Sequence, residues 1–262
     1  RSTPQIIQSI YDDGDLAERI RDYHVTIKGT LQSGERYHSL NPETYWWAHA
    51  TFVYRVIYAQ DLFGTPFTKA ERDQLVREGV TWWDKYGMSE RPVIDNYDDL
   101  VAYMDDMVEN VLERNETVDF ALRTARVEPV KAPDGVPPRL WKIIWKPIMR
   151  STIWLTIGTL PEKYRRILDL EWTSRDQKRF DRIAKAIRKV FTLLPEDKRF
   201  MEPGRSLMIK NGMIEGKYKE PKTIQAYQPK NEAAEASDTA KPNAEGDSND
   251  AVAARRAAGC PF

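Results

Sequence analysis

The chain has one cysteine, Cys260, and three histidines, His24, His38 and His49. A single thiol near the end excludes an intrachain disulfide framework and any zinc or iron–sulfur centre built on cysteine. It suits a reducing compartment, so a cytoplasmic location is expected. No two histidines have HxxxH spacing, and Glu35 to His38 is the one ExxH pair, in the turn-like stretch SGERYHSLNP; a histidine-rich zinc site and a di-iron bundle are therefore not expected. Phosphate loops of GxGxxG or GxxxxGK[ST] form are missing, as is the GxSxG elbow of a serine hydrolase. No apolar run approaches the roughly 18 to 20 residues of a membrane span. The formal net charge is zero, which removes the electrostatic case for nucleic-acid binding.

What the chain does have is aromatic mass: eight tryptophans, including the pairs Trp46-Trp47 and Trp82-Trp83, in 262 residues. That length supports one sizeable core, and the tryptophans point to a large apolar interior or cavity. Charge is segregated. Residues 1–130 hold 14 basic and 23 acidic side chains, and residues 131–220 hold 21 basic and 11 acidic. The simplest reading sets acidic and basic halves against each other within one fold. A sharper one places the basic half on anionic lipid, because residues 140–158, LWKIIWKPIMRSTIWLTIG, mix Trp and Ile with Lys142, Lys146 and Arg150. Peripheral membrane contact is expected there. The sequence begins at Arg1 without a secretory signal, and targeting information is expected upstream.

Periodicity and punctuation predict an all-α fold. Thr3-Pro4 and Asn41-Pro42 open helices, a second helical stretch runs from Gly14 toward Gly29, and Thr68 to Glu71 is a capping box for a helix closed by Gly87. Asn96 caps a helix with the stripe Leu100, Met104, Met107, Val111. Residues 126–138, with four prolines, form a joint, STIWLTIG is ambiguous between strand and helix, and Ser174 to Gln177 opens a helix that Pro195 stops. The expected layout is one helical domain over 1–210 and a disordered, apolar-poor tail over 211–262.

His49 is the candidate for chemistry. On a helical wheel Tyr45, His49, Phe52, Val53, Val56 and Gln60 share one face, so the imidazole is expected to point inward. A core histidine satisfied by a backbone carbonyl is one reading. The other is a ligand for a cofactor that needs only one protein donor, and haem is such a cofactor, because the porphyrin supplies four nitrogens and the protein an apolar pocket. Trp46, Trp82, Trp83 and Met104 are candidate walls. His24, near a helix end, is expected to be structural, and His38 to lie in a loop.

Tyr37 to Pro42 (YHSLNP), Trp47 to Thr51 (WAHAT), Phe63 to Glu71 (FGTPFTKAE) and LPEKYRRILDLEWT at 160–173, followed by LPEDKRFMEP, occur in the order seen in the MpaB and latex-clearing-protein oxygenases. Over about residues 1–210 the chain resembles that family. The resemblance implies a nearly all-α fold around one haem b, with His49 as the iron ligand and an apolar pocket that Tyr45, Phe52, Val53 and Val56 would line. It implies an oxidoreductase that uses dioxygen on a small hydrophobic, isoprenoid or other olefinic substrate, with oxidative cleavage of a carbon–carbon double bond. Arg1 and Thr3 would be the remnant of the family's distal Arg, Lys and Thr cluster, for which no lysine matches here; the chain also reads Trp47-Ala48-His49, as the MpaB branch does. A further helical segment is implied before Arg1. The alternative class is a non-catalytic helical haem carrier or sensor, or a cofactor-free binding module.

Overall fold

A computed structural model describes residues 2–11, 14–31, 34–116, 118–120, 132–133 and 135–220. The first helices are α1 (Ser2–Tyr11) and α2 (Leu16–Asp22), and a two-stranded antiparallel hairpin follows, β1 (Lys28–Thr30) pairing Gly29 with Tyr37 of β2 (Arg36–His38). The second helical stretch thus ends seven residues before Gly29. His38 lies in a strand, not a loop; its Nε2 is 3.2 Å from the Val25 carbonyl oxygen and its Nδ1 accepts from Leu40 N–H. Gly29 is there because Tyr37 lies across it: a Cβ would meet the phenol ring at 2.9 Å.

Two long antiparallel-type partners build the core, α3 (Pro42–Phe63) and α4 (Lys69–Asp84), joined by a short turn. Each start is fixed locally. Asn41 Oδ1 accepts from Glu43 N–H at 2.9 Å, and Thr68 and Glu71 form a reciprocal box in which each side chain takes the other's backbone N–H. Gly87, with φ 61°, turns the chain out of α4. Arg72 then ties the turn down: it donates to the Phe67 carbonyl, pairs with Asp61 at 2.8 Å and lies over the Tyr97 ring.

Helix α5 (Tyr97–Asp106), capped by Asn96, passes into a π-turn (Met107–Val111) closed by Leu112 N–H donating to Met107 O at 2.7 Å. The extra residue rotates the stripe. Leu100, Met104 and Val108 are buried, whereas Val111, expected on the same face, is exposed. The remaining helices are α6 (Pro138–Gly158), α7 (Glu162–Ile167), α8 (Ser174–Leu193) and α9 (Gly204–Lys210). STIWLTIG is therefore helical. The capping box of α8 is Thr173 with Asp176, one residue earlier than Ser174 to Gln177.

Residues 1–222 cluster as one compact unit. Past α9 the chain stays packed at Ile214, which is buried, so order continues beyond residue 210. Residues 221–262, which include most of the expected tail and Cys260, and most of the proline-rich joint lie outside the described residues. Among the described residues no helix is long and apolar enough to cross a membrane.

Candidate functional site

The core is a meeting of aromatic rings where α3 lies against α4. Its closeness depends on Gly79: a Cβ there would meet Val53 Cγ2 at 2.7 Å. A glycine inside a helix costs about 1 kcal/mol relative to alanine, and here it lets α3 approach the α4 backbone. The consequence is a bond across the pair. His49, 3% exposed, donates from Nε2–H to the Gly79 carbonyl oxygen at 2.8 Å. That carbonyl can serve both its own helix and the imidazole, since it has two lone pairs.

Four rings surround the imidazole, with centroids at 4.6 Å (Trp82), 5.4 Å (Trp46 and Trp83) and 5.9 Å (Tyr86). Burial penalises the charged ring and lowers the His49 pKa to about 4, against a smaller opposing effect of the Gly79 carbonyl. The histidine is therefore neutral near pH 7. With Nε2 protonated, Nδ1 carries a lone pair, and it has no hydrogen-bond partner among the described residues. Trp46 Nε1 and Trp83 Nε1 are also buried donors without acceptors. Native interiors pair nearly all such groups, because each one left unpaired costs about 1–3 kcal/mol. Three of them converge here.

Trp82 is tied where Trp46 and Trp83 are not. Its Nε1 donates at 3.0 Å to Ser9 Oγ, whose own hydroxyl donates to the Ile6 carbonyl, and so α1 is fastened over the cluster. Lys85 repeats the tie by donating to the Ile10 carbonyl. On the other side Arg21 of α2 donates to the Tyr86 carbonyl at 2.7 Å.

Of the residues expected to share His49's face, Tyr45 is buried against Tyr86 and Trp83, and Val53 packs on Gly79. Phe52 and Val56 are 39% and 58% exposed. The buried residues of α3 are Tyr45, Trp46, His49, Ala50 and Ile57, so the core face keeps Tyr45 and His49 and extends toward Trp46 and Ala50, and Phe52 and Val56 form its open edge. Phe52 still approaches Trp82, with centroids 6.1 Å apart. Trp47 packs on Tyr103 of α5, away from the imidazole. Met104 is core, as are Trp46, Trp82 and Trp83. Arg1 is outside the described residues; Thr3 lies in α1, but its side chain is outside them too. His24 donates from Nδ1 to the Ile20 carbonyl and meets Tyr45 edge-on, a structural arrangement. Among the described residues no group of three or more His, Cys, Asp or Glu could hold a bare metal ion.

Sequence reasoning missed Gly79 and Ser9. The glycine had a signal, its place inside an otherwise regular amphipathic helix, which calls for a packing reason. Ser9 had none.

Fold and site define a helical domain whose two central helices close over one neutral, half-partnered imidazole in an aromatic shell. The family described as ER-bound oxygenase mpaB/B'/Rubber oxygenase, catalytic domain, matches residues 1–189, and the chain belongs to that oxygenase family. No curated protein and no solved structure matches it significantly.

Proposed function

We propose that the protein is a haem b-dependent oxygenase acting on a hydrophobic olefin, an isoprenoid chain being the class the family favours. The observation that carries this reading is the unpartnered Nδ1 of His49. A metal-ligating imidazole characteristically donates its other ring N–H to a carbonyl or carboxylate, which fixes tautomer and orientation; the bond to Gly79 does this and leaves one lone pair for an iron. The donor set fits a cofactor that needs one protein ligand.

When bound, haem supplies an iron centre that activates dioxygen toward a carbon–carbon double bond. The chain's own part is to hold His49 neutral by burial, to aim it through Gly79, and to exclude water with Trp46, Trp82, Trp83 and Tyr86. The exposed apolar edge at Phe52 and Val56, about one and two turns from His49, offers flat or branched side chains to a macrocycle or an olefin. Arg1 and Thr3 would be the polar groups that hydrogen-bond the oxidant. A lipophilic substrate would be met at a membrane surface, where Leu140 and Ile143 of α6, exposed beside Lys142, would make peripheral contact.

A second reading, a cofactor-free core histidine, is favoured by the closeness of the four rings and the satisfied Nε2. Oxygen uptake by haem-supplied protein with prenylated substrates tests the enzyme. Turnover lost in His49→Ala is expected; haem uptake with no turnover across such compounds would make the chain a carrier.

A further inference from the structure

In the C-terminal half of α3, Arg55 donates to Thr159, and at its end Phe63 meets Phe180 of α8. Phe63 is 14 residues from His49, about 21 Å of helix rise. Here α6 and the chain before α8 enclose a cleft of about 530 Å³ that is separate from the His49 cluster. Its size lies within the range of small-molecule sites. Trp145, Trp154 and Trp172 form its walls, and Met149, Ile153 and Ile157 continue the apolar lining. Trp154 and Trp172 stack at 5.3 Å and are held from behind: their Nε1 groups donate to Asp176 and Gln177, and Arg179 and Arg165 lie over their rings. This is a rigid apolar floor.

The rim has the opposite character. Lys146 and Arg150 stand one turn apart on α6, both exposed, and neither meets a carboxylate among the described residues. Like charges four apart on a helix repel. Relief from within α6 is impossible, because residues 135–161 contain no Asp or Glu. The one acidic residue on the cleft, Glu171, is exposed, so it can turn to water.

We infer that this cleft binds an anionic amphiphile, a single long hydrocarbon chain ending in a carboxylate, with the chain against the tryptophans and the head on Lys146 and Arg150. The apolar depth supplies affinity, and the paired cations select the charged end. The site is independent of haem.

The test is tryptophan fluorescence of the full chain titrated with oleate below its aggregation concentration, beside methyl oleate and oleylamine. Saturable quenching by oleate alone is expected. Lys146→Glu with Arg150→Glu should weaken it by roughly tenfold or more. Ile153→Trp, which fills the cleft and leaves the rim intact, should weaken it as well, with unchanged circular dichroism. Methyl oleate binding as tightly as oleate would overturn the proposal, and so would full binding by a folded Ile153→Trp protein. Capture only by vesicles containing phosphatidylserine, with no saturable binding of monomeric oleate, would replace the site with a membrane-docking surface.

Discussion

The two aromatic clusters handle polar atoms in opposite ways. Around Trp154 and Trp172 both indole N–H groups have side-chain acceptors and both rings carry a guanidinium. Around His49, Trp46 Nε1, Trp83 Nε1 and His49 Nδ1 are buried without partners among the described residues, and Ser9 ties Trp82 and Tyr86. One cluster is a finished wall beside an open cleft. The other is a closed interior with hydrogen-bonding groups left unpaired, which the low dielectric makes costly.

The difference can be broken from the His49 side first. Its folded pKa of about 4 lies below the ordinary 6.5, so between these values the unfolded chain holds a proton that the folded one does not. The stability tied to neutral His49 is complete above pH 6.5 and lost as pH falls toward 4, a change on the order of 3 kcal/mol. Urea unfolding at pH 7 and 4.5 should show a steeper loss in wild type than in His49→Gln. Carboxylates held below their usual range, such as Asp73 and Glu71, are common to both proteins and cancel.

Gly79→Ala should come next, costing about 2 kcal/mol by overpacking against Val53. Val53→Ala in the same chain should restore part of it. Equal losses in the single and double variants would mean that the α3–α4 approach does not depend on this contact. Ser9→Ala leaves Trp82 Nε1 buried without a partner and should cost about 1–2 kcal/mol in thermal unfolding. On the finished side, Thr173→Ala removes the cap of α8 and should cost about 1 kcal/mol, leaving any oxygen uptake untouched.

The same contrast explains what could be read from the chain. Caps are local, and Asn41, Thr68 with Glu71 and Asn96 lie where their side chains predicted. The Trp47 to Thr51 motif lies within α3, and Phe63 to Glu71 spans the turn into α4. The hairpin at 28–38 is too short to show alternation. The π-turn at Met107 inserts one residue and exposes Val111, which a fixed helical period cannot anticipate. The His49 bond spans 30 residues, and whether an inward imidazole meets a carbonyl, a metal or both depends on how two helices pack. Periodicity placed Phe52 and Val56 on the buried face of α3, whereas that face holds Tyr45 and His49 and extends toward Trp46, Ala50 and Ile57.

Under the proposed function, His49 Nδ1 would hold the haem iron. The most direct test is the visible absorption spectrum of protein purified after expression with haem supply. A Soret band is expected, lost in His49→Ala while the helical circular dichroism remains. A folded wild-type protein with no Soret band, or an unchanged band in the variant, would contradict it.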